Sequence, residues 1–102
     1  MTFFVYILYS ASTDRYYVGQ SEDHLRRLTQ HNNGKFHKST TSGRPWELKA
    51  VFEIQGGRRE ALKIESFIKK QKSRTLIERL IDPDFIPSNS LAQMVRIPQV
   101  RD

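Results

Sequence analysis

The 102-residue chain has no cysteine. That removes disulfide frameworks, thiol catalysis and cysteine-based zinc sites, and it fits a reducing compartment. The apolar run from Phe3 to Tyr9 is too short to span a bilayer and lacks the basic flank and small-residue cleavage site of a secretory signal. A soluble, cytoplasmic chain with no membrane partner is the expectation. Internal repeats and low-complexity tracts are also missing. No glycine-rich phosphate loop precedes a helix, and neither a dinucleotide fingerprint nor a serine nucleophile elbow occurs. The three histidines, His24, His31 and His37, are too widely spaced, without accompanying cysteines, for structural zinc.

Acidic residues are the scarcer charge, 11 against 17 Lys and Arg, and the net charge of +6 favours an anionic partner. A hydrophobic fraction of 37% over this length supplies one modest core and therefore one domain.

Phe3 to Tyr9 and Tyr16 to Gln20 are rich in aromatic and β-branched residues and flank the polar "SASTDR", which reads as an antiparallel hairpin. Ser21 is placed to cap a helix from about Glu22 to Asn32, which Asn33-Gly34 would stop. After the basic loop "GKFHKSTTSGRP", the alternating "WELKAVFEI" predicts a third strand closed by Gly56-Gly57. Helical periodicity returns from about Arg58 to Gln71, and "SRTLIERLI" predicts a further helix capped by Ser73 and ended by Asp82-Pro83. The expected fold is α+β: a three-stranded antiparallel sheet flanked by helices, in the order β-β-α-β-α-α. Residues 1–82 would form the domain, with 83–102 as a tail packed on it or disordered.

Several residues on this frame can carry chemistry. Arg27 and His31 stand four apart on the first helix, with Leu25 and Leu28 expected on the core side, so that the Arg and His would face a ligand. A guanidinium matches phosphate oxygens, and an imidazole moves protons near neutral pH. Glu65 lies within the apolar stripe of Ala61, Ile64 and Ile68, where an unpaired carboxylate costs several kcal/mol; it needs a partner, either an arginine such as Arg27 or a metal ion. Pairing the first two strands about a loop near Ser10 to Thr13 sets Tyr6 opposite Tyr17, both hydroxyls on one face. Gly19 marks a place where a ligand or another backbone comes close.

In this order the set resembles the GIY-YIG nuclease superfamily, and within it the small stand-alone bacterial members. Phe4-Val5-Tyr6 stands in the GIY slot and Tyr17-Val18-Gly19 in the YIG slot; Arg27, His31 and Glu65 follow, and "HNNGK" and "RPWEL" look similar to small members. The likeness covers about Phe3 to Ile81. Phe4 departs from the first glycine of the motif, and Val5 and Val18 from its isoleucines. The resemblance implies a sheet flanked by helices and a phosphodiester hydrolase acting in DNA repair or recombination. It also implies that Glu65 holds Mg²⁺ or Mn²⁺, that Arg27 holds the scissile phosphate, and that Tyr17 or Tyr6, with His31, orients or deprotonates the attacking water.

Of the two phenols, Tyr17 is expected to be the activated one, its pKa lowered by a nearby cation, and Tyr6 to orient. Lys35, Lys38, Arg44, Lys69, Lys70 and Lys72 are the candidate backbone contacts to DNA or another nucleic acid. No added DNA-binding domain accompanies the likeness, so specificity would come from this domain or from a protein partner. Two rival readings stand beside the nuclease: a nucleic-acid-binding module that has lost turnover, and a scaffold subunit whose site is completed by a partner.

Overall fold

A computed structural model describes residues 2–33, 40 and 42–98 of the chain. Strands β1 (Phe3–Ser10) and β2 (Arg15–Ser21) form the hairpin. Its turn closes through Asp14 at φ 52°, a left-handed conformation that aspartate tolerates, and the Tyr9 hydroxyl donates to Asp14 Oδ1 at 2.7 Å. Helix α1 (His24–Asn32) follows, then β3 (Trp46–Ile54), α2 (Gly57–Gln71) and α3 (Arg74–Ile81). Gly56 enters α2 at φ 98°, where a side chain would be strained.

The α+β class and the antiparallel pairing are as expected, but the sheet described here has four strands rather than three, in the order β2-β1-β3-β4. The added strand, β4 (Met94–Arg96), pairs with β3 so that Met94 faces Ile54 and Arg96 faces Phe52. Three residues in a proline-bearing segment carry too short an apolar pattern to announce a strand; the exposed ladder of β3 recruits them. Leu91 and Met94 enter the core, and the Arg96 guanidinium donates to the carbonyls of Leu80 at 2.8 Å and Phe85 at 3.1 Å. Residues 99–102 lie outside the described residues.

The caps divide between expectation and correction. Ser73 Oγ accepts from the Leu76 amide at 3.1 Å, as its position predicts. At α1, however, Asp23 is the cap, accepting from the Arg26 amide at 3.0 Å. Ser21 is held inside β2, where its hydroxyl accepts instead from the Asp23 amide and from Arg27 Nε.

Two hydrophobic clusters lie on the two faces of the sheet. One joins Val5, Ile7, Val18, Ala50 and Phe52 to Ala61, Ile64 and Ile68 of α2, Leu80 of α3, and Leu91 and Met94. The other joins Tyr6, Leu8, Val51 and Trp46, with Tyr17 and Leu28 packed against them. Neighbours in sequence such as Tyr6 and Ile7 fall in different clusters, as the twofold alternation of a strand requires. Among the described residues no helix is long and apolar enough to cross a membrane.

Candidate active site

The register of the hairpin decides how the tyrosines meet. Tyr6 faces Gly19 across the ladder, and Tyr17 faces Leu8, so the two tyrosines are diagonal neighbours rather than opposite residues. They still share a face. The register is offset by two residues from a pairing that sets Tyr6 opposite Tyr17, because Ser10 pairs with Arg15 and the loop is Ala11 to Asp14. Gly19 lacks bulk for a reason other than the one expected: the Tyr6 ring fills its place, and a Cβ there would stand 2.5 Å from Tyr6 Cζ. The close neighbour is the phenol itself, neither a ligand nor a backbone.

Helix α1 keeps Leu28 on the core side, as expected, but not Leu25. Leu25 is 60% exposed, whereas His31 is fully buried. An imidazole is tolerated there because both ring nitrogens are engaged: Nε2 with the Tyr6 hydroxyl at 3.1 Å and Nδ1 with the Thr40 hydroxyl at 3.0 Å. The ring also lies 4.8 Å, centroid to centroid, from that of Tyr17. Thr40 is a site residue that sequence reasoning missed. It sits in a polar run, "HKSTTSG", with no periodicity to single it out, and Trp46 fastens the same point by donating from its indole to the Thr40 carbonyl at 2.6 Å. Asn32, at the end of α1, donates to the Trp46 carbonyl at 3.0 Å, tying the helix to the start of β3.

Arg27 is half-buried and anchored along its length. Its Nε donates to Ser21 Oγ at 3.3 Å and a terminal nitrogen to Gln30 Oε1 at 3.3 Å. Ser21, Glu22, Asp23, Arg26, Arg27 and Gln30 line a polar cleft of about 180 Å³. A guanidinium held by its side leaves its fork aimed by the scaffold rather than by chance.

Glu65 enters from α2, whose Ala61, Ile64 and Ile68 pack in the cluster on the other face. Because β2 is an edge strand, this flank of α2 reaches the tyrosine side: the Lys69 ammonium lies 5.1 Å over the Tyr17 ring. The Glu65 side chain is 17% exposed, and its Oε2 pairs with Lys69 Nζ at 2.7 Å. Where the sequence left an arginine such as Arg27 or a metal ion as the partner, the ion pair seen here is with a lysine one helical turn along.

Electrostatics tie these residues into one site. The Tyr6 phenol is pushed above its ordinary pKa by burial first and by the neighbouring Tyr17, with the Glu65 charge adding to the rise and Arg27 opposing it. Tyr17 is raised by burial, then by Glu65, again against Arg27. The lowered phenol expected at position 17 is thus corrected: a cation does act on it, but burial and the carboxylate outweigh that cation.

Among the described residues no three His, Asp or Glu side chains gather as a ready-made metal cage. The donor set still fits a hard divalent cation of the magnesium type, which characteristically takes one or two carboxylates and keeps several waters or phosphate oxygens. Glu65 supplies one such carboxylate at a half-open position.

Of the expected nucleic-acid contacts, Arg44, Lys69, Lys70 and Lys72 are exposed, and the three lysines border a shallow cleft with Leu62, Glu65 and Ser66. Lys35 and Lys38 lie outside the described residues, as does His37.

The family profile described as the GIY-YIG catalytic domain matches residues 2–78. Over 74 residues the chain is 38% identical to the structure-specific endonuclease subunit SLX1 of Meyerozyma guilliermondii, a match covering 68% of this chain and 25% of that protein. The chain thus spans about a quarter of the length of that curated relative. The solution NMR structure of the UPF0213 protein BH0048 from Bacillus halodurans is 31% identical, with 85% of this chain and 89% of that chain covered and a TM-score of 0.49.

Proposed function

The chain belongs to the GIY-YIG family, and from that membership we propose that it is a metal-dependent endonuclease hydrolysing phosphodiester bonds in DNA. The observation that carries the reading is geometric: Tyr6 and Tyr17 meet at His31 on one sheet face, and the Glu65–Lys69 pair lies against the Tyr17 ring. Hydrolysis of a phosphodiester needs an anchor for the phosphate, a cation where negative charge grows, and a group that orients water.

Arg27 holds the scissile phosphate in the polar cleft, its fork fixed by Ser21 and Gln30. Glu65 would hold Mg²⁺ or Mn²⁺, which when bound supplies Lewis-acid stabilisation of the phosphate oxygens. Tyr17 is partly exposed to solvent and is the phenol an attacking water would reach, while Tyr6 is almost wholly covered. Tyr17 is held in its neutral form by burial first and by the Glu65 charge second, with Arg27 opposing. Tyr6, His31 and Thr40 form the buried support, a hydrogen-bonded line that fixes the floor of the site under Tyr17. Lys70, Lys72 and Arg44 contact the nucleic-acid backbone, which positions the strand without reading its sequence.

The relative from Meyerozyma guilliermondii is named a subunit and a structure-specific endonuclease, and both words bear on this chain as proposals: branched DNA is a candidate substrate class, and a protein partner a candidate source of specificity. The test is cleavage of single-stranded, duplex and branched DNA with and without Mg²⁺ or Mn²⁺, using Glu65→Gln as the comparison. Metal-dependent cutting that disappears in the variant supports the reading. Tight binding of every substrate with no cutting under any metal would replace it with a nucleic-acid-binding module.

A further inference from the structure

The ion pair on Glu65 is more than an ordinary helix-surface pair. On the same helix, Lys63 and Glu60 stand 3.5 Å apart with the carboxylate 30% exposed, the loose geometry of a solvated i, i+3 pair. Lys69 and Glu65 stand 2.7 Å apart with the carboxylate 17% exposed, and the lysine is itself 46% exposed. A long, half-exposed cation thus sits on a more covered anion. The same ammonium is 5.1 Å over the face of Tyr17, so it lies between the carboxylate and the partly exposed phenol.

Any cation taken up by Glu65 must share the carboxylate with that ammonium, which holds Oε2 and repels a second positive charge brought beside it. Resting on the reading of Glu65 as metal ligand, we propose that Lys69 is the resident counter-cation of the carboxylate, that a divalent ion displaces it, and that the freed ammonium meets the phosphodiester beside Tyr17. The pair keeps Glu65 neutralised when no metal is bound. On exchange, the lysine needs only to swing its four-carbon stem, and half of that side chain is already in solvent. Metal uptake and delivery of a positive charge to the substrate are then a single event.

The test uses Mn²⁺ as the probe, its binding to the full chain measured by electron paramagnetic resonance without nucleic acid. Removing the competitor in Lys69→Met is expected to tighten Mn²⁺ binding roughly two- to fivefold, the scale of a partly exposed ion pair. Lys69→Arg, which keeps the charge, is expected to bind Mn²⁺ no more tightly than the parent. At saturating Mn²⁺, Lys69→Met is expected to lose about tenfold in kcat/KM for DNA cleavage, the scale of one charge-assisted hydrogen bond.

Unchanged or weaker Mn²⁺ binding in Lys69→Met overturns the competition, as does equal tightening in Lys69→Arg. Unchanged kcat/KM at saturating metal overturns the second role of the ammonium. Glu65→Gln separates the layers: if it abolishes Mn²⁺ binding while Lys69→Met leaves it unmoved, this inference fails alone. If Glu65→Gln keeps full Mn²⁺ affinity, the assignment of Glu65 as ligand fails and the competition falls with it.

Discussion

The two faces of the sheet are built on opposite terms. Against α2 and α3 the sheet presents Val5, Ile7, Val18, Ala50 and Phe52, aliphatic and aromatic groups that ask only for packing. Toward α1 it sets Tyr6 and Tyr17 among Leu8, Val51 and Trp46, and covers the phenols with a buried histidine and a buried threonine. Burying apolar surface stabilises without constraint on direction, whereas burying polar groups is tolerated only when each finds its partner. One face therefore secures the fold, and the other spends part of that security on fixing hydroxyl and ring nitrogen positions. Glu65 and Lys69 connect the two, because α2 packs with the first face yet reaches the second around the edge strand.

That division is open to a matched pair of substitutions with the largest effects. Phe52→Ala empties a fully buried place on the apolar face and is expected to destabilise by about 3–5 kcal/mol, leaving cleavage per folded molecule near the parent value. Glu65→Gln is expected to cost on the order of 10³-fold in metal-dependent cleavage with little change in urea midpoint. Should Glu65→Gln instead mainly lower the midpoint, with activity kept in the folded fraction, the carboxylate belongs to the structural face and the comparison breaks.

Tyr17 provides the next test, within the polar face itself. Tyr17→Phe is expected to lower turnover by about 10²-fold or more and to remove the ascending limb of the pH profile, within the range of general acid and base catalysis. Burial of His31, with both ring nitrogens engaged, argues for a supporting role. If His31→Ala alone abolishes the limb and Tyr17→Phe preserves it, the histidine is the base and the roles within the face are reversed.

How much of this the sequence disclosed follows the same division. The apolar stripe of α2 and the third strand are periodic, as burial on one side writes into a chain, and the hairpin shows as two short apolar runs rich in aromatic and β-branched residues. Glu65 was legible as an acid on an apolar stripe, but its lysine partner was not, since an i, i+4 pair looks alike whether it is solvated or half-covered. The face of α1 was half legible: Leu28 packs inward as a leucine should, but the fully buried position goes not to Leu25 but to His31, whose acceptability depends on Tyr6 and on Thr40, residues that meet it through tertiary folding. The short strand β4 has no pattern of its own and exists by pairing.

A smaller effect distinguishes the buried phenol from the half-exposed one. Tyr6 has its folded pKa raised, chiefly by burial, above an unfolded value near about 10. A neutral form favoured by folding stabilises fully below that unfolded value, and the contribution is lost as pH rises through the higher folded one. Urea denaturation between pH 8 and pH 11 should therefore show stability falling at the alkaline end, and Tyr6→Phe should flatten that fall. At pH 8 the same variant should be less stable by about 1–3 kcal/mol, because His31 Nε2 is left buried without its hydroxyl partner. An alkaline fall as steep as the parent's would place the responsible titration elsewhere.

The smallest expected effect lies outside both faces, on the rim. Lys70 and Lys72 are exposed beside the Glu65 cleft, and exposed cations contribute to nucleic-acid affinity by releasing counterions from phosphates. Neutralising both, as Lys70→Gln with Lys72→Gln, should reduce the slope of log affinity against log salt by roughly one to two units and weaken all sequences alike. Neither residue packs in the two clusters, so the midpoint of unfolding should stay put. A sequence-selective loss would mean that these lysines touch base edges, and the rim would then share in recognition instead of supplying charge alone. An unchanged slope would move the phosphate contacts to Arg44 and Arg27, and with them the path of the strand from the end of α2 to the start of α1.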